Sequence, residues 1–476
     1  MRIPKLFWII LLMVTPWGVC ELITWLTFGH HFYEAIPLWS DELCYWHESL
    51  SFASVGLKMG YSTFSEHIPA WSCFGPHGLG ATLLYTPMAM LCGANYDFIT
   101  ITNLLLLTLA LFFFSRHLAS KIDFLFIITL TAIYPPLFLY LPTLMTEVAQ
   151  YALCIGYGIL LYKYIKCPSA KCFVITLIYV SLIAFVRVYY IILLVPFLFL
   201  LCKTKNWKMR CLYVLCYCVY CIFVFAVVSA LTAPYPYGFL VNIFQGNIAS
   251  VLKALCVHTV NNIGHFMYAP DAAHIEQFQR WFYLWVLGYM LYRGIKAHST
   301  IHVCLALLLG SFLLVIIGAY DVFAMRDYRV LAPLPYIAII LSFLSEKHTT
   351  YKNALKNVLN VGVLLYCSMM VPYYLYKGMI CNQAGRFATI AEIPLLQQIP
   401  FNKNTDNNFD NTLLMPFDKL TSDIVMNIPA GIGISIMDSK HVSAYQSQYI
   451  LLGDNQDLAE YHLVLDNGEL FLYQRN

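Results

Sequence analysis

The sequence predicts an all-α polytopic membrane protein of about eleven transmembrane helices, followed by a small C-terminal α/β domain. Three observations predict it. Only 11% of the 476 residues are charged and mean hydropathy is +0.68, whereas soluble domains carry about a quarter charged residues. Apolar runs near 20 residues recur, the length at which a helix crosses the hydrocarbon core with its backbone hydrogen bonds made internally. Counting eleven spans also places every short Lys-containing cluster on one side, the cytoplasmic one.

Arg2 and Lys5 precede the first span, residues 7–28, which lacks a small-residue cleavage site and reads as an uncleaved helix. The first outer loop, 29–97, contains two stretches, 48–59 and 79–91, apolar enough to lie along the interface. They are separated by turn residues at Pro69 and Gly75-Pro76-His77-Gly78. Spans follow at 98–115, 122–141 (with Pro135-Pro136 and Pro142 near its outer end) and 147–165. The run 172–202 is too long for one span and is interrupted by Arg187, so it reads as two short helices meeting at the outer face. After a span at 211–232 comes an outer loop, 234–280, then a short span, 281–292, and three more at 301–320, 330–344 and 358–376.

Beyond Lys377 Asn and Asp cluster and no run is long enough to span. Alternation in 451–476, with turns at Gly453-Asp454 and Asn467-Gly468, predicts strands. The chain therefore divides into a transmembrane module, 1–376, and an outer domain, 377–476. Most of the 16 cysteines sit in apolar runs, where a thiol behaves as a small hydrophobe. Cys44 and Cys73 share the first loop, where an oxidising compartment would permit a disulfide. The net charge of +3 says little, and no nucleic-acid partner is expected.

The residues able to carry chemistry gather at the outer ends of the spans. Asp41 and Glu42 are adjacent acids beside aromatic rings, and a carboxylate held at an interface can take a proton from an attacking hydroxyl; a solvated loop acid is the plain alternative. Glu147 stands at the outer end of the fourth span, where an acid is costly, unless it is simply a first-turn residue favoured by the helix dipole. Arg187, flanked by apolar residues, needs an anion: a phosphate, or a carboxylate such as Glu147. Arg326 and Arg329 stand three apart on the outer side and can clamp a phosphate with forked donors, or be neutralised by Asp321 and Asp327. His67, His77 and Tyr328 are weaker binding candidates. The acids are scattered and no ligand spacing names a metal.

The order of these features resembles the C-type membrane glycosyltransferases (GT-C), in particular the protein O-mannosyltransferase and lipid A aminoarabinose transferase group. The match rests on the Asp41-Glu42 pair after a first span, interfacial helices around a Pro/Gly-rich turn, and the link Leu91-Cys92-Gly93-Ala94-Asn95-Tyr96-Asp97. It covers roughly residues 7–202. In that group the first-loop Asp is the catalytic base, which implies Asp41. A second acid follows a Pro-containing outer turn, matching Glu147 where Asp is frequent. A basic residue between the fifth and sixth spans contacts the lipid phosphate, matching Arg187 where Lys is common. The architecture also resembles glucosyltransferases that decorate O-antigen.

The resemblance implies an inverting transferase (EC 2.4 class) that uses a polyprenyl-phosphate-linked sugar as donor substrate, and it names no cofactor and leaves a divalent metal open. The acceptor would be a lipid-linked glycan of O-antigen or lipopolysaccharide type, at the periplasmic face of the bacterial inner membrane. Asp41 and Glu42 would be catalytic, with Glu147, Arg187, Arg326, Tyr328, Arg329, His67 and His77 at substrate or phosphate. The alternatives are an O-antigen polymerase and a flippase for lipid-linked sugars. A transporter should carry charges through its midplane or broken helices in paired halves, whereas here the charges gather at one face.

Overall fold

The structure, a computed structural model, describes residues 4–57, 61–67, 74–95, 97–203, 205–234, 248–268, 274–319, 328–345, 350–405, 407–437 and 445–476. Helix α1 (Lys5–Phe28) closes on Gly29, whose positive φ of 72° lets its N–H return to the Trp25 carbonyl. Next come α2 (Ser40–Val55), the strand β1 (Ser62–Phe64), α3 (Leu79–Cys92) and α4 (Phe98–Ser115). The interfacial helix expected at 48–59 therefore begins eight residues earlier (48 − 40), at Ser40.

The expected third span is two helices, α5 (Lys121–Ile133) and α6 (Pro135–Tyr140). Tyr134 between them is extended, with ψ 113°, because the residue before a proline is pushed out of the helical region. Helix α7 (Glu147–Lys166) is followed by α8 (Ala170–Ala184), a 3-10 stretch (Val188–Leu194) and α9 (Val195–Cys202), so the long run does break at Arg187.

Helix α10 (Trp207–Leu231) leads to α11 (Ile248–Met267), a helix in what the sequence suggested was loop. Helix α12 (His274–Lys296) is longer than the expected 281–292, because its polar first turns are helical too. Then come α13 (Thr300–Ala319), α14 (Tyr328–Leu331), α15 (Pro333–Ser345) and α16 (Thr350–Tyr373), which runs into a π-helical stretch, Tyr374–Cys381.

Among the described residues, seven helices are long and apolar enough to cross a membrane, with α8 and the Val188–Cys202 segment apolar but shorter. This is the architecture of a multi-pass membrane protein. Burial separates two kinds of span: 89% of the window at Tyr328–Ser345 is buried, against 11% in α10, whose Leu215, Val219, Ile222 and Phe223 face outward. The second kind presents apolar side chains to lipid; the first is packed on every side.

The C-terminal region forms a mixed sheet from β2 (Thr412–Pro416), β3 (Gly433–Met437), β4 (Tyr449–Leu452), β5 (Tyr461–Asp466) and β6 (Phe471–Arg475), in the order β1-β3-β2-β4-β6-β5. The pairings β1–β3, β2–β3 and β2–β4 are parallel, while β4–β6 and β5–β6 are antiparallel. Gly468 (φ 87°) makes the last hairpin turn, where the alternation placed it. The edge strand β1 comes from the first loop, about 370 residues earlier in the chain (434 − 62), and pairs Ser62 with Ile434. Leu43 of α2 packs into the core beneath the sheet, the His47 imidazole meets the Ile432 carbonyl at 2.7 Å, and Glu66 accepts the Ser447 N–H at 2.7 Å. The sheet is thus built onto the helix that carries Asp41.

Candidate active site

Helix α2 is positioned by Glu42. One carboxylate oxygen accepts the N–H groups of Leu38 (2.8 Å) and Trp39 (3.0 Å), capping the helix start. The other accepts the Leu144 N–H at 3.0 Å and meets Arg386 at 3.0 Å, with both side chains fully buried. Arg386 also lies over the Trp39 ring and donates to the Gln383 side-chain carbonyl. Both Glu42 oxygens are thus occupied by three backbone N–H groups and the Arg386 guanidinium, away from the cleft.

One residue back along the same turn, Asp41 faces the other way, into a cleft of about 880 Å³ lined by Trp39, Tyr140, Gln279, Tyr328, Tyr374 and Lys377 among others. Its Oδ2 accepts from Arg329 at 2.8 Å. The Arg329 Nε lies 3.5 Å from Glu147 Oε1, so one guanidinium bridges two acids. Glu147 is almost wholly buried and its second oxygen, Oε2, has no hydrogen-bond partner. On the remaining side, His77 Nε2 is 3.6 Å from Asp41 Oδ1. The opposite ring nitrogen is 3.5 Å from the Tyr45 hydroxyl, to which Arg187 donates at 2.7 Å.

Glycines permit this convergence. A Cβ on Gly80 would collide with the Phe185 carbonyl and the Val186 nitrogen, and the Gly80 N–H bonds to Phe185 O at 3.1 Å. Gly78 sits at φ 84° in the preceding turn. Together they let the start of α3 press onto the segment that carries Arg187, so His77 and Arg187 meet around Tyr45. Tyr190, just beyond Arg187, donates to Gln150 on α7 at 2.7 Å and ties that segment to the helix that begins with Glu147.

The electrostatics follow. Burial raises the Asp41 carboxyl, but His77, Arg329 and Arg187 outweigh it and hold the group at about 2. Burial pushes His77 down to about 4, so near neutral pH the ring is uncharged while the two arginines keep their charge beside Asp41. Burial also raises the Tyr45 phenol, which stays protonated and able to donate. A separate acid, Glu48, lies about two helical turns beyond Asp41 in α2, with no cation beside it among the described residues. It accepts the Ser62 N–H at 3.0 Å and the Thr82 hydroxyl at 3.3 Å, and burial raises it to about 7. Gly75 is needed there, because a Cβ would overlap the Glu48 carboxylate.

Of the residues the sequence singled out, Asp41, His77, Glu147, Arg187 and Arg329 come together, and Tyr328 lines the same cleft. His67 does not: it is exposed beside β1, its ring near the Phe64 carbonyl. Arg326, Asp321 and Asp327 lie outside the described residues, as does Cys73, while Cys44 is a buried free thiol. The sequence reading did not assign Tyr45 or Arg386; an aromatic inside an interfacial helix and an arginine in a polar tail carry no local mark of their partners. Among the described residues no cluster of His, Cys, Asp or Glu is arranged to hold a metal ion.

No protein-family model and no curated protein sequence matches the chain. Solved structures do. The oligosaccharyltransferase AglB from the archaeon Archaeoglobus fulgidus, in complex with an inhibitory peptide and a dolichol-phosphate, superposes with a TM-score of 0.53 at 11% identity, over 94% of this chain and 69% of that one. The apo form of the oligosaccharyltransferase from the same organism gives a TM-score of 0.49 at 10% identity, over 94% and 69%. With nearly the whole chain covered, this protein has the GT-C fold seen in the AglB complex.

Proposed function

We propose that the protein is an inverting glycosyltransferase that moves a sugar from a polyprenyl-phosphate donor to a hydroxyl of a lipid-linked glycan. The observation that carries this reading is the meeting of one cleft-facing carboxylate, Asp41, with two guanidiniums, Arg329 and Arg187, at the end of a helical bundle. Asp41 takes the proton of the attacking hydroxyl. The arginines receive the phosphate as negative charge gathers on it; a lipid phosphate leaves without a general acid, so one base suffices. Glu147 orients Arg329 from behind. The dolichol-phosphate held by the AglB complex, which shares this fold, supports a lipid-phosphate donor.

Without donor, His77, Arg329 and Arg187 hold Asp41 below the ordinary carboxylate range, too low for an effective base near neutral pH. A donor phosphate competes for the same guanidiniums, so its arrival releases Asp41 toward the ordinary carboxylate range. The base is then strengthened only when there is a sugar to transfer. We place the site at the periplasmic face of a bacterial inner membrane, with an acceptor of O-antigen type.

The test is chemistry without a membrane. Purified protein in detergent, given a polyprenyl-phosphate sugar and a glycan acceptor, should release polyprenyl phosphate. A flippase would move labelled lipid across liposomes and release none under any donor and acceptor pair, which would overturn the reading.

A further inference from the structure

At the far end of α7 from Glu147 lies a second cleft, of about 540 Å³, lined by His117, Tyr162, Lys163, Lys166, Lys171 and Ile175 among others. A 20-residue helix is about 30 Å long, so this cleft and Asp41 lie at opposite membrane faces. Among the described residues no acidic side chain lines it. Lys166 leans over the Tyr162 ring, 5.6 Å from its centroid. Lys163 and Lys166 suit the C-terminal end of α7, but Lys171 stands in the first turn of α8, where the helix dipole disfavours a cation. Three exposed lysines line one cleft, and an anion seated there would meet all three charges.

The lower wall of the cleft is apolar and continues along α8. Val174, Ile178 and Leu182 recur at every fourth position and are 49%, 55% and 61% exposed, with Ile175 beside them. From Lys171 to Leu182 this stripe runs about 16 Å, close to half a hydrocarbon core of about 30 Å. A cationic cup at the water–lipid boundary above an apolar stripe half a bilayer long matches one chemistry: an anionic headgroup with acyl chains beneath it.

We propose that this groove is a binding site for one anionic phospholipid, its phosphate between Lys163, Lys166 and Lys171 and its acyl chains along the exposed face of α8. The site is independent of the sugar-transfer reading. It differs from a merely topogenic cluster of lysines in holding a lipid stoichiometrically and selecting it by charge.

The test uses the purified full-length protein in mixed micelles, with phosphatidylglycerol or phosphatidylcholine as probe and native mass spectrometry as readout. One phosphatidylglycerol should remain bound under conditions that strip phosphatidylcholine. The variant Lys163→Gln/Lys166→Gln/Lys171→Gln should weaken phosphatidylglycerol about 100-fold, at about five-fold per lysine, while the triple Lys→Arg variant retains it. If the triple Gln variant does not fold, Lys171→Gln alone should show the five-fold loss. Equal retention of the two lipids, or a Gln variant that holds phosphatidylglycerol as well as the parent, would overturn the proposal.

Discussion

The two sides of the α2 N-terminus carry the same chemistry to opposite ends. Glu42 and Arg386 form an ion pair with both side chains at 0% exposure, Glu42 also accepting three backbone N–H groups and Arg386 donating to Gln383. Asp41 and Arg329 form one at 23% and 22% exposure, at the wall of a cleft, with Glu147 Oε2 left without a hydrogen-bond partner behind them. A wholly buried pair tied to the backbone on both sides is a rivet. A half-open pair with valences to spare can exchange partners, and that is the property a phosphate-binding base needs. Adjacent residues in the sequence thus differ in surroundings because a helix turn points them apart, not because their side chains differ in kind.

The comparison can be broken from either side. Arg386→Ala should have the largest effect, on stability: it strands the Glu42 carboxylate in a dry site, costing about 3–5 kcal/mol, read as a lowered thermal midpoint in detergent. If folding survives with an unchanged midpoint, the rivet is not one. Arg329→Gln should act on rate instead, lowering kcat by about 100- to 1,000-fold. It should also let the Asp41 pKa rise, moving the acid limb of the pH–rate profile upward from its position below about pH 4.

Glu48→Gln tests the acid that faces neither side. A carboxyl raised to about 7 in the folded state favours the native protein below its unfolded pKa and withdraws that stability as pH rises through 7. The variant should therefore gain about 3 kcal/mol on the parent at pH 8, shrinking to little at pH 4, as followed by thermal unfolding across pH. Asp97, also raised to about 7 by burial, keeps some pH dependence in the variant. Tyr45→Phe should have the smallest effect. It removes the oxygen that Arg187 donates to, worth about 1–1.5 kcal/mol, and should raise the donor KM several-fold with the midpoint little changed.

Much of this was legible in the residues. The bounds of α4 and α7 follow from local apolar runs, the break at Arg187 from a charge in one, and the final hairpin from alternation and an Asn-Gly turn. Asp41, Glu147 and Arg187 stood out because charge is costly at those depths. What the sequence hid is non-local. The Glu42–Arg386 pair spans 344 positions (386 − 42), and β1 joins a sheet whose other strands begin at Thr412. Helix α11 escaped notice because it is amphipathic and lies between turn-rich segments, and α5 and α6 read as one span because a proline pair can end a helix or open one. Glu42 looked like the twin of Asp41 because spacing does not say which way each carboxylate points.

The most direct test of the central claim is Asp41→Asn, which keeps the shape and removes the basicity. Single-turnover transfer by the purified variant, from a polyprenyl-phosphate sugar to a glycan acceptor, should fall about 100- to 10,000-fold, with donor binding and the thermal midpoint retained. Transfer within a few-fold of the parent would contradict the account, because no other carboxylate described here combines access to the cleft with a guanidinium it can hand to the donor.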